Sequence, residues 1–343
     1  MEALHVSDQV DPSIWCENIR RLDGCCFHTW EWCRYSSEKN KTKPLFFQLG
    51  AADSLPKAIA VGFLSMREFA GIPIHKRLSF GSLPAAADPE SRHALVHALI
   101  SHCQTHGYTS LGMNSFGTPV DEPALSEFCF SVSRRFEFLL DISLPQDELW
   151  KKIHSKKRNL IRKGMKAGLV IARGTKLEHL LAYRRIADDT LRRKKSQGIR
   201  FPTVEGESHF ELMQKRLIDT GLGRLYLAYK KDVPVAGAFF AGFNRKAYYV
   251  LSAANETGLK LAAPDLILWT CMTDYQREGF RLFNLGGLSE AELNGRPLEE
   301  SGLYHFKKRF SSDVYPCYKG RLVLRPFLDT VYNSARKIKA VLS

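Results

Sequence analysis

Residues 224–253 read RLYLAYKKDVPVAGAFFAGFNRKAYYVLSA, three apolar runs at 224–230, 234–244 and 247–253 parted only by Lys231-Asp232 and Arg245-Lys246. Separations of hairpin length predict an antiparallel meander of three strands. Working outward, helices are expected at 177–195 and 205–220 before it. After it come a helix at 264–278, a strand at 281–285, the glycine pair Gly286-Gly287 and a helix around 303–310. Further upstream, Leu149, Ile153, Leu160, Ile161 and Met165 recur at helical spacing, which predicts one helix over 146–167. Ser143 with Gln146 has the spacing of a capping box, and Gly168 supplies the stop.

The first half alternates short strands and helices: an aromatic helical segment at 27–35, strands at 45–49, 58–67 and 77–80, and a helix at 90–106 stopped by Gly107. A strand at 110–114, a short helix at 122–129 and a closing strand at 136–142 follow. In the second half the order helix, helix, three antiparallel strands, helix, strand, helix, strand matches the mixed sheet of acetyltransferases. Because the first half ends on a comparable run, the expected fold class is α/β (α+β): two acetyltransferase-like (GNAT-like) subdomains over 1–145 and 146–323. Each is a largely antiparallel mixed sheet flanked by helices.

A chain of 343 residues exceeds the roughly 250 to 300 at which one core stops growing, which agrees with two domains. No run reaches the apolar length of a membrane span, and the acidic, polar start MEALHVSDQVDP is unlike a signal peptide, so a cytoplasmic protein without an integral membrane segment is expected. The eight cysteines include no CxxC pair and are expected to be reduced. Cys25, Cys26, His28 and Cys33 fit no zinc spacing, and His93, His97, His102 and His106 lack an HExxH, so no metal is expected. Nucleophile-elbow, Walker and dinucleotide-binding motifs are absent.

The net charge is +14, and residues 151–200 hold 17 Lys and Arg against Glu178, Asp188 and Asp189, so that one stretch carries the whole excess. A basic field of this size raises the local concentration of anionic ligands. On the predicted 146–167 helix the cationic side admits three readings: a solvated face, a membrane-surface helix or a phosphate-binding surface. A narrow apolar stripe with Trp150 as its one aromatic weakens the membrane reading. Arg158, Lys156 and Arg162 are the candidate contacts to an anionic ligand, Arg158 first because a guanidinium grips phosphate in a bidentate manner.

Four segments resemble the FemAB family, which includes peptidoglycan-bridge aminoacyl transferases. They are FHTWEW at 27–32, LWKKIHSKKRNLIRKGMKAGLVIARG at 149–174, VAGAFFAGFNRKAYYVLSAA at 235–254, and GFRLFNLGG with GLYHFKKRFSS at 279–287 and 302–312. The resemblance implies two acetyltransferase-like subdomains with an acceptor cleft between them, and a last helix near 324–342 that returns to the first domain. It also implies an aminoacyl group, carried by aminoacyl-tRNA, joined to an amine acceptor. Phe306 and Lys307 fall on the family's Phe-Lys pair, whose lysine is implicated in stabilising developing charge; Tyr248 and Tyr249 fall on the strand whose tyrosines line the site. Where peptidoglycan-acting relatives tend to carry a lysine after the early aromatic segment, this sequence has Arg34, Tyr35 and Ser36, and Tyr35 is the substrate-binding candidate there.

Amide formation passes through a tetrahedral oxyanion, which needs a cationic or hydrogen-bonding group near that oxygen. Lys307 suits that need, although the run Lys307-Lys308-Arg309 also reads as a surface cluster. Tyr248 and Tyr249, adjacent on a strand, must point to opposite faces. Coenzyme A enzymes seat the pyrophosphate on a glycine-rich turn opening the helix after the meander. Here that turn reads ETGLKLAAPD, with Gly258 one turn too early, so acyl-CoA is the less favoured donor. The alternatives left open are an acetyl-CoA-dependent N-acetyltransferase and an inactive nucleic-acid or nucleotide-binding protein.

Overall fold

A computed structural model describes residues 3–51, 54–69, 72–117, 123–198, 203–293, 295–310 and 312–342. The strands are β1 (Ala3–Ser7), β2 (Lys43–Gly50), β3 (Ala58–Phe69), β4 (Ile72–Phe80), β5 (Ala85–Ala86), β6 (Ser110–Asn114), β7 (Ser131–Asp141), β8 (Val170–Gly174), β9 (Gly223–Lys230), β10 (Val233–Phe243), β11 (Lys246–Ala254), β12 (Leu282–Ser289) and β13 (Asp313–Val323). The helices are α1 (Pro12–Arg21), α2 (Trp30–Asn40), α3 (Pro89–Thr105), α4 (Pro123–Ser126), α5 (Gln146–Lys152), α6 (Ser155–Lys166), α7 (Leu177–Ser196), α8 (Glu207–Met213), α9 (Glu256–Lys260), α10 (Ala263–Arg277), α11 (Glu290–Leu293), α12 (Gly302–Lys308) and α13 (Pro326–Leu342). The chain forms two compact units, Met1–Phe136 with Pro316–Ser343, and Glu137–Tyr315. The expected boundary after residue 145 thus falls after Phe136, inside β7, and the second falls inside β13 instead of after residue 323.

In unit 1 the strand order is β1-β2-β3-β4-β6-β13, with β5 on β3. The β2-β3-β4 meander is antiparallel, β4 to β6 is parallel across α3, and β6 to β13 is antiparallel. Phe47, Leu78, Phe80, Leu95, Leu99 and Leu111 belong to its core. The last helix, α13, packs on β4 with Tyr332 stacked on His75 at 3.9 Å.

Unit 2 repeats the plan. Its order is β8-β9-β10-β11-β12-β7; the β9-β10-β11 meander is antiparallel, and β12 lies parallel to β11 after the crossover through α10. A separate core gathers Phe138, Leu149, Ile161, Phe240, Leu266 and Phe283. Each unit therefore has a meander, a crossover helix, a parallel fifth strand and a sixth strand. Unit 1 takes that sixth strand from 316–323, whereas unit 2 takes it from 137–141.

Three local expectations are corrected. The helix expected over 146–167 is two, because Ile153 and His154 are extended (ψ 132° and 139°), the Ile153 side chain is buried, and His154 N–H donates to Arg309 C=O at 3.0 Å. Ser143 does not cap α5: its hydroxyl donates to Asp141, and Pro145 holds the cap position. The helix expected over 205–220 ends as α8 and passes into a wider turn over Gln214–Ile218. Gly168, at φ +68°, does end α6.

Candidate functional site

The ladder between β11 and β12 is short. It pairs Lys246–Tyr248 with Leu282–Asn284, although both strands run on. Asn284 marks the parting: its buried amide donates to Glu137 at 2.8 Å, and its carbonyl accepts Gly286 N–H at 2.7 Å. Gly286 then turns with φ +73°, and a Cβ there would lie 3.4 Å from both Lys307 Nζ and Tyr249 C=O. Glycine is thus required twice, by the left-handed backbone and by the close approach of a lysine.

Lys307 lies on α12 and is 5% exposed. Its ammonium donates to Gly287 C=O at 3.3 Å and sits 5.5 Å from the Phe138 ring centroid. Gly286 and Gly287, both half-buried, lie against it, and the Phe306 ring beside it in sequence faces Lys157 and Phe310. Tyr249 stacks on Phe240 at 5.2 Å, and burial pushes its phenol up to about 12. Tyr248 takes the opposite face of β11 and is buried. Phe306 precedes Lys307 on α12, and the Tyr249 backbone carbonyl and the Lys307 ammonium both approach the Gly286 turn. Tyr35 belongs to unit 1, where it is buried on α2 against Trp32 at 5.5 Å.

Of the basic helix, Lys156 and Arg162 are exposed on α6, and Arg158 is half-buried. Arg158 donates to Lys151 C=O at 3.3 Å, while the Arg162 guanidinium lies 5.3 Å from the Trp150 ring centroid. Sequence reasoning missed Lys157, which is 3% exposed and pairs with buried Asp265 of α10. Burial pulls the Lys157 ammonium down and the Asp265 carboxyl up, in each case against the pull of the partner. The signal was present, since Lys157 stands four residues from both Ile153 and Ile161, on the apolar stripe.

At the turn where a coenzyme A enzyme seats its pyrophosphate, α9 is inserted. Asn255 caps α9 by accepting Gly258 N–H at 2.9 Å, and a Cβ at Gly258 would lie 2.3 Å from Val235 C=O. That glycine therefore serves packing and not a phosphate cradle. The following helix, α10, starts at buried Ala262 and Ala263 and carries the Asp265 carboxylate in its first turn, where an anionic ligand would otherwise be favoured.

The cysteine and histidine clusters are structural in their contacts. His28 is buried, with Nδ1 3.2 Å from Cys25 N and Nε2 2.9 Å from Leu83 C=O, and burial pushes the Cys33 thiol up to about 12. His93 and His97 pack against Phe128. Among the described residues no group of three or more His, Cys, Asp or Glu could hold a metal ion, and no helix is long and apolar enough to cross a membrane.

Residues 151–308 match the acetyltransferase (GNAT) domain family. Among solved structures the chain is similar to FemX, with 13% identity, 95% of this chain and 99% of that one covered, and a TM-score of 0.75. It is similar to the L-PGS from Bacillus licheniformis at 14% identity, 96% and 97% coverage and TM-score 0.58. A tandem GNAT protein from the clavulanic acid biosynthesis pathway aligns at 10% identity, 94% and 99% coverage and TM-score 0.52. Comparison with curated protein sequences gives no match.

Proposed function

We propose, from the match of residues 151–308 to the GNAT domain family and the FemX-like fold, that the chain is a transferase that forms an amide by moving an aminoacyl group from aminoacyl-tRNA onto an amine. The observation that carries this reading is the buried Lys307 ammonium beside the Gly286-Gly287 turn, where β11 and β12 part. The amine nitrogen attacks the carbonyl carbon of the ester. A C–N bond forms and the carbonyl oxygen becomes an oxyanion beside Lys307; as the oxyanion reforms the carbonyl, the C–O bond to the ribose breaks and the ribose oxygen takes up the proton that the amine nitrogen gives up. A fixed ammonium in a poorly hydrated site stabilises the oxyanion more than water does.

Two features support a tRNA donor over acyl-CoA. The helix start that would seat a pyrophosphate is buried and carries Asp265, and the exposed cations of α6 offer a surface for a polyanion. The test is donor turnover: the protein is incubated with charged tRNA mixtures and, separately, with acetyl-CoA, each with candidate amines. Amine-dependent deacylation of tRNA is the expected result. Thiol release from acetyl-CoA without tRNA turnover would make the protein an N-acetyltransferase, and turnover of neither would leave a nucleic-acid-binding protein.

A further inference from the structure

Helix α12, which carries Lys307, has little of its own to fix it in place. It has seven residues, too few to be stable alone, no side-chain cap at its start, and Lys307 as its buried member. Leu303 is exposed, and Tyr304 makes an edge contact with Phe138 at 5.7 Å. Besides its packing on β12 and on the turn at 298–300, and the hydrogen bond from Ser312 to Lys307 C=O, α12 meets α6 through Phe306. Lys157 Nζ lies 3.5 Å from the centroid of the Phe306 ring and 4.8 Å from that of Phe310, and Asp265 neutralises it from the other side.

Joining α6 to α10 does not require this pair, because Gly164 already meets Leu266 closely enough that a Cβ there would sit 3.3 Å from it. A buried ion pair is often replaced by apolar side chains without loss of stability, so the pair's distinctive contact is the one to Phe306. We infer that Lys157, oriented by Asp265, is a positioning residue that pins Phe306 through its ring face and thereby sets Lys307 against the Gly286-Gly287 turn. The inference rests on the reading of Lys307 given above. It adds α6 as a working part of the site through its inward face, separately from its exposed cations.

The test compares wild type with the double variant Lys157→Met/Asp265→Leu, which removes both charges and leaves neither orphaned. The expected result is a kcat lower by about 10- to 100-fold, the scale of a misplacement near 1 Å, with KM for the amine unchanged and the melting temperature close to wild type. A second readout needs no turnover: brief acylation with acetic anhydride, followed by fragment mass mapping. Lys307 should be labelled several-fold faster in the double variant, with the exposed Lys319 of unit 1 as the internal reference. If wild type proves inactive, the transfer reading fails while the labelling still decides the positioning. A folded double variant with wild-type kcat or wild-type Lys307 labelling overturns the inference. If the double variant does not fold, Lys157→Met alone is labelled in its place, and an unchanged Lys307 again overturns it.

Discussion

Replacing Lys307 by Met keeps the length of the stem and removes the charge, which separates its part in the reaction from its part in the fold. On the folding side, the loss includes the hydrogen bond to Gly287 C=O at 3.3 Å, a long one, and a ring contact at 5.5 Å. A hydrogen bond to a charged group contributes about 1.5 to 3 kcal/mol. Relief from holding an ammonium at 5% exposure offsets much of this. The expected net loss is about 1 kcal/mol, or about 2 to 4 °C in melting temperature for a unit of this size. On the reaction side, removing one oxyanion contact costs about 3 to 4 kcal/mol, or roughly 100- to 1,000-fold in rate. Single-turnover transfer from charged tRNA to an accepted amine, read beside a melting curve, separates the two effects. Activity within about threefold of wild type would refute the role. So would a fall of more than about 10 °C in melting temperature, which would mark Lys307 as a structural lysine.

The exposed cations give a second expectation: replacing Lys156, Arg158 and Arg162 by Ala should weaken tRNA binding and flatten the log-log salt slope by about two to three units, at roughly 0.7 to 0.9 per phosphate contact. An unchanged slope would reduce that face to solvated charge. Acetyl-CoA at millimolar concentration should leave the melting temperature unmoved, because a ligand that binds the folded state must raise it; a concentration-dependent rise would overturn the reading of the α9–α10 turn. Gly258→Ala should destabilise unit 2 by about 3 kcal/mol or more, since the added carbon meets a backbone oxygen at 2.3 Å, and urea unfolding within 1 kcal/mol of wild type would contradict it. The Tyr249 phenol, raised by burial from 10 to about 12, contributes stability that is fully present below pH 10 and lost as the pH rises toward 12. Ultraviolet titration of wild type minus Tyr249→Phe should show this late ionisation, and a midpoint near 10 would remove the claim.

The meander was legible because hairpin-length separations between three apolar runs leave few other pairings for 224–253. The break inside 146–167 was not, since Leu149, Ile153, Lys157 and Ile161 keep a four-residue spacing straight through it. A tertiary bond, from His154 N–H to Arg309 C=O, decides the matter. Lys157 was hidden for a related reason: inside a run of cations it reads as one more solvated charge, and what turns it inward is Asp265, 108 residues away. Strand β1 was missed because its side chains are almost all exposed and its backbone ladder to β2 is what holds it. Helix α1, by contrast, had readable signals in Asp11, which accepts two backbone N–H groups, and in Pro12 behind it. Lys307 was found through resemblance, and no spacing rule would have singled it out from Lys308.

The sixth strand of unit 1 has a consequence for biosynthesis. Strand β6 waits for a partner, residues 319–323, that is made about 200 residues later. At roughly 5 to 20 residues per second the nascent chain carries that unpaired edge for about 10 to 40 s. Throughout that interval the strand is open to pairing with a neighbouring chain. Unit 2, continuous from 137 to 315, holds all of its strands before the ribosome reaches β13's second half. The protein should therefore complete its C-terminal-side unit first and close its N-terminal one last, and a chain cut after residue 315 should leave a folded unit 2 beside a sticky, incomplete unit 1.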